Sequence, residues 1–131
     1  MRAVGAVVRG VGRTVRVARR RVCGPLNVAQ FDVHRSVGRT RDGYPYLVIV
    51  QSSVFEAAMT RLVVPLTRHV AGSPDNVARF TIEGRRVIAD PLLMFPIPRD
   101  KLGECVASLA DGDSAARLIA AIDQVISTAY G

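Results

Sequence analysis

Tryptophan is absent, aromatic side chains make up only 5% of the chain, and cysteine occurs twice, at Cys23 and Cys105. Neither cysteine sits in a zinc-type or redox-type spacing, which argues against a disulfide-built secreted scaffold and for a reduced, cytoplasmic setting. No apolar run approaches the roughly 18 residues that a membrane-spanning helix needs, so no membrane span is expected. Catalytic patterns are equally scarce. His34 and His69 stand apart from each other, with no Cys or Ser at a nucleophile spacing, and read as structural or surface residues. The stretch Gly5 to Thr14 lacks the lysine of a phosphate loop, and no strand precedes it. Asp111-Gly-Asp113 lacks the other ligands of a calcium loop and reads as a turn that caps a helix. The remaining acids are scattered, and the expectation is no catalytic residue, no metal site and no cofactor.

What is present is a chain of 131 residues, 49% hydrophobic, enough for one domain with a modest core. Its formal charge of +7 is unevenly placed. Residues 1–28 hold seven arginines and no acid, leaving eleven basic and eleven acidic residues over 29–131. The chain therefore divides into a basic N-terminal extension, 1–28, and a formally neutral domain, 29–131. A neutral domain gives no general argument for direct nucleic-acid binding. At 100° per residue, Arg2, Arg9, Arg13, Arg16 and Arg20 fall opposite Val4, Val7, Val8, Val11, Val15 and Val22. A surface-binding amphipathic helix or an Arg-rich transit peptide has this pattern, although Gly5, Gly10 and Gly12 weaken a helix. The favoured expectation is upstream sequence read from a start placed too early, with the working start near Val28.

From Val28 onward the pattern is that of short strands followed by one helix. Gln30 to Arg35 alternates Phe31 and Val33 with polar neighbours, predicting a strand exposed on one face. After a Gly-rich and charged loop from Gly38 to Gly43, the continuous apolar run Leu47 to Val50 predicts a strand covered on both faces. Arg61 to Leu66 predicts a third, with Pro65 marking a strand end, an edge or a bulge. Ala78 to Ile82 and Arg86 to Ala89 flank Glu83-Gly84-Arg85 as a hairpin, and Leu92 to Pro98 adds a short irregular strand. In the last segment, Ala115, Leu118, Ile122 and Val125 form a helical stripe that Asp113 or Ser114 can cap. Pattern alone thus predicts a small, mainly antiparallel β domain with a C-terminal α-helix, and no function.

Several short strings are more specific in combination. Ala29-Gln-Phe-Asp-Val33, Tyr44-Pro-Tyr-Leu-Val-Ile-Val-Gln-Ser52 and Arg61-Leu-Val-Val-Pro-Leu66 resemble the opening strands of the CcdB toxin family, in order and at the family's spacing. Phe80-Thr-Ile-Glu-Gly84, Leu102 to Leu109 and Leu118-Ile-Ala-Ala-Ile-Asp123 continue the resemblance, which covers residues 29 to about 127. It implies an SH3-like, CcdB-type antiparallel barrel assembled as a homodimer. It also implies a toxin that binds the DNA gyrase A subunit, traps the cleaved-DNA complex without being an enzyme, and is neutralised by an antitoxin with a disordered C-terminal segment.

The resemblance also implies gyrase contacts. Val54 and Phe55 take the place of two apolar family residues after the Val-Gln-Ser string, and core residues of a loop are the competing reading. Asp123 aligns with a polar contact position of the helix, and Ile126 follows on nearly the same face; Asp123 reads equally as a solvated helix residue. The tail departs from the pattern, because the best-known family toxin ends in Trp-Gly-Ile. Without a gap, Ser127, Thr128 and Ala129 occupy those positions; with a short slip, Tyr130 and Gly131 stand opposite Trp and Gly, and the Ile is missing. This divergence predicts weaker gyrase poisoning or a shifted target. Two alternatives stand beside it: a ribonuclease toxin on a related barrel, whose catalytic set and N-terminal motif are not found here, and a toxin-like domain that binds antitoxin without toxicity.

Overall fold

The computed structural model describes residues 29–38, 43–68, 72–73 and 77–126. The basic extension 1–28, most of the loop from Gly38 to Gly43, His69 and the tail 127–131 lie outside these residues. Seven described strands join in one antiparallel sheet: β1 (Asp32–Arg35), β2 (Tyr46–Ile49), β3 (Thr60–Arg68), β4 (Arg79–Ile82), β5 (Arg85–Ala89), β6 (Phe95–Pro98) and β7 (Cys105–Ser108). The main path runs β4-β5-β3-β2-β1-β7, six strands that form a half-barrel, and β6 pairs with β3 beside it. Helix α1 (Gly112–Ile126) follows β7. The expected small antiparallel barrel with a terminal helix is the architecture found.

Side-chain alternation divides the interior into two parts. Val33, Tyr46, Val48, Val64, Leu66, Phe80, Ile82 and Val87 make the main core, and Leu118 and Ala121 of α1 pack into it. Burying a leucine as fully as Leu118 contributes about 1.5–3 kcal/mol. On the opposite pleat, Leu47, Ile49 and Val63 form a second cluster with Phe95, Ile97 and Leu102. Strand β2 is therefore covered on both faces, as its unbroken apolar run requires. Strand β1 departs from expectation. Its polar residues Asp32 and His34 are buried along with Val33, so both faces are covered until the exposed Arg35 at its end.

Of the strand end, edge or bulge that Pro65 suggested, the strand end is not what is found. Pro65 lies inside β3, opposite Leu47 of β2. Backbone groups alternate sides along a strand, and the Pro65 carbonyl accepts from the Asp90 N–H, so the proline nitrogen faces the same outer edge. That edge pairs with β6 over Thr60 to Val63 and with β5 over Leu66 to Arg68. The missing N–H falls at the seam between the two partners, where the Asp90 carbonyl that would accept it takes the Leu93 N–H at 3.1 Å instead.

The β4–β5 hairpin turns on Glu83 and Gly84, both at positive φ (52° and 78°), the two-residue geometry that fits strand twist. Glycine takes this conformation freely, whereas Glu83 needs support. Its carboxylate accepts from the Tyr46 hydroxyl at 2.8 Å and pairs with Arg35, which also reaches Glu104 at 3.0 Å. The Arg35 and Tyr46 hydrogen bonds hold the Glu83 carboxyl below its usual pKa.

Strand β7 was not among the strands predicted from pattern. It enters through Gly103, where a Cβ would lie 2.3 Å from the Arg35 carbonyl, so this close approach admits only glycine. The helix is capped two or three residues earlier than Asp113 or Ser114 would give. Asp111 Oδ1 accepts from the Ser114 N–H at 2.8 Å, and this bond holds the Asp111 carboxyl below its usual pKa. The capping role of the Asp-Gly-Asp turn is as expected. Arg117 ties α1 to β4, donating to the Arg79 carbonyl and lying 4.7 Å above the Phe80 ring centroid.

Candidate functional site

Between β2 and β3 the chain makes a tight excursion that presents apolar side chains to solvent. Ser52 accepts from the Val54 N–H and starts a 3-10 turn over Ser53–Phe55. Val54 is 81% exposed, Phe55 62% and Met59 72%. These values remove the alternative reading of Val54 and Phe55 as core residues of a loop. An exposed Val-Phe pair on a short turn is apolar surface with no partner among the described residues of this chain.

Polar clamps beneath the turn hold it in shape. Gln51 donates from Nε2 to the Phe55 and Thr60 carbonyls, at 3.1 and 3.2 Å, and accepts the Leu62 N–H on Oε1 at 3.0 Å. Arg61, only 3% exposed, donates to the Ala58, Thr60 and Glu56 carbonyls at 2.7–2.9 Å. The guanidinium fork satisfies three carbonyls that the turn directs inward, and its charge strengthens each bond. Sequence reasoning singled out neither residue for this role. The available sign was a charged side chain opening an otherwise apolar strand.

The other predicted contacts lie on α1. Asp123 is exposed and Ile126 is 59% exposed at the helix end. No hydrogen bond or ion pair among the described residues joins this end to the Val54–Phe55 turn. Ser127, Thr128, Ala129, Tyr130 and Gly131 lie outside the described residues. Beside the helix, an open hollow of about 670 Å³ runs between Ile88, Pro91 and Leu92 on one side and Ala121, Gln124 and Val125 on the other. Among the described residues no helix is long and apolar enough to cross a membrane.

The family model for the CcdB protein matches residues 30–128. The chain belongs to the CcdB family. The match takes in the seven strands, α1 and the Val54–Phe55 turn, and it begins two residues before β1. No curated protein matches the chain in a direct comparison. Within this CcdB chain the described contact candidates are all surface residues: Val54 and Phe55 on a clamped turn, Asp123 and Ile126 at the helix end.

Proposed function

We propose that this chain is the toxin of a toxin–antitoxin pair, acting in the cytoplasm as a homodimer on the A subunit of DNA gyrase. The observation that carries the reading is the turn at Val54 and Phe55. Two apolar side chains stand in water, on backbone fixed by Gln51 and Arg61, at the place where the family's gyrase contacts fall. Because the turn is already ordered, binding loses little conformational freedom there. Asp123 and Ile126, followed by the tail 127–131, supply the second part of the contact.

Poisoning of this kind is binding and not catalysis. A ligand that prefers gyrase with cleaved DNA over the resealed state shifts the population toward breaks, by an amount set by that preference. Residues 127–131 are Ser, Thr, Ala, Tyr and Gly, with no Trp where the family has one, and on this reading the toxin acts more weakly than a protein with the Trp-Gly-Ile end, or on a shifted target. A cognate antitoxin with a disordered C-terminal segment relieves it.

The test is expression of the chain in bacteria, scoring growth arrest and gyrase-linked DNA breaks, beside a V54A/F55A double variant. Arrest with breaks that the double variant loses while staying folded supports the reading. Arrest with RNA loss and intact DNA would transfer it to the ribonuclease alternative, and no arrest at all would transfer it to a domain that binds antitoxin without toxicity.

A further inference from the structure

The inward-turned polar residues of β1 meet a sulfur. Asp32 and His34 are two apart and share a pleat, and Cys105 of β7 stands opposite His34 across the ladder, where a register shift interrupts the pairing. A carboxylate oxygen, an imidazole nitrogen and the Cys105 Sγ all lie within 4.8 Å of one another. Sequence spacing could not show this grouping, because strand pairing creates it.

The hydrogen bonding around these groups is incomplete in one direction. Asp32, with no exposed surface, accepts the Ala29 N–H on Oδ2 at 3.2 Å, while its Oδ1 has no partner. His34, 5% exposed, has Nδ1 2.9 Å from the Gly103 carbonyl. A carbonyl only accepts, so Nδ1 carries the proton, and the neutral ring, favoured by burial, keeps its lone pair on Nε2. That nitrogen has no hydrogen-bond partner either. Two buried acceptors from neighbouring positions of one face are thus unpaired, which folded proteins rarely allow. What such a place accepts is an electrophile. The carbonyl behind Nδ1 is the outer support that orients a metal-ligating histidine, and one oxygen, one nitrogen and one sulfur donor suit Zn²⁺, with a fourth position for water.

Cys105 is disulfide-bonded in this structure, which departs from the expectation of reduced thiols. We propose that Asp32, His34 and Cys105 form a Zn²⁺ site that becomes available when the disulfide at Cys105 is reduced. Two equivalents of a low-molecular-weight thiol supply the two electrons and two protons. The S–S bond breaks, two cysteine thiols form, and the reductant leaves as its own disulfide. The Cys105 thiol then gives its proton to water as the sulfur binds the metal. Metal and disulfide exclude each other at this sulfur, so zinc occupancy follows the redox state.

The experiment uses the full chain, freed of metal by a chelator, with and without a phosphine reductant. Co²⁺ serves as the coloured probe and Zn²⁺ as its competitor. The reduced chain takes up one Co²⁺ with a thiolate-to-cobalt charge-transfer band that Zn²⁺ abolishes, and the oxidised chain takes up none. C105S loses the band, and H34Q binds at least about tenfold more weakly. Circular dichroism of each variant shows that the fold persists; should H34Q fail to fold, C105S decides. Absence of the band in the folded, reduced chain overturns the proposal, as does uptake unchanged in C105S.

Discussion

Replacing Asp32 by asparagine is expected to stabilise the fold above pH 6 and to leave it nearly unchanged below pH 4. Burial raises the Asp32 pKa from 3.8 to about 6, against a smaller opposing pull from the Ala29 N–H. The unfolded chain ionises this carboxyl at its ordinary value. Between the two values the folded state therefore binds the extra proton, and stability falls as pH rises through the window. The full interval corresponds to at most about 3 kcal/mol, and relaxation of the buried site leaves an expected difference of about 1–2 kcal/mol. Asparagine retains an oxygen for the Ala29 N–H and has nothing to ionise. His34 has the opposite dependence: burial lowers its pKa, so its contribution is lost as pH falls below its ordinary 6.5. Urea melts at intervals from pH 4 to 8, with the disulfide intact and a chelator present, measure the gap. A gap between D32N and the parent that is equal at pH 4 and pH 8, or reversed in sign, would refute the reasoning.

G103A forces a Cβ toward the Arg35 carbonyl, 2.3 Å from its ideal position, and lowers stability by about 2 kcal/mol or more; a urea midpoint equal to the parent's would contradict the close approach. R61M leaves the Glu56, Ala58 and Thr60 carbonyls without their charged donor and lowers stability by about 2–4 kcal/mol, with faster amide exchange in the 51–60 turn and weaker gyrase binding. Exchange in that turn at the parent's rate would mean that Arg61 does not hold it. D111A removes the acceptor for the Ser114 N–H, and thermal melts should show a loss of about 1 kcal/mol.

Local pattern reached far into this fold because many of its elements are local decisions. The run Leu47 to Val50, the turn at Glu83 and Gly84 and the stripe through Leu118 each follow from a few adjacent residues, and each was legible. Strand β7 was less so: four half-buried residues become a strand by pairing with β1, and that pairing depends on the distant close approach of Gly103 to Arg35. The burial of Asp32 and His34 was hidden for the same reason, since a polar residue in an alternating strand reads as solvent-facing until the opposite face is known to be covered. At the proposed surface, the family resemblance pointed to Val54 and Phe55, and it took their exposure to remove the core reading. The clamps beneath them were invisible, because glutamine and arginine reach backbone carbonyls that no sequence pattern names.

The seam at Pro65 has a further effect on the sheet as a whole. Strand β3 serves two partners along one edge, and the residue without an N–H sits where neither needs one. A slide of two residues preserves the inside and outside of every side chain, so hydrophobic pattern alone does not forbid it. In β3, however, such a slide would carry the proline under β5 or β6 and leave a carbonyl there without its donor. The proline thus works as an index mark, making the correct alignment of three neighbouring strands the one in which its defect goes unnoticed.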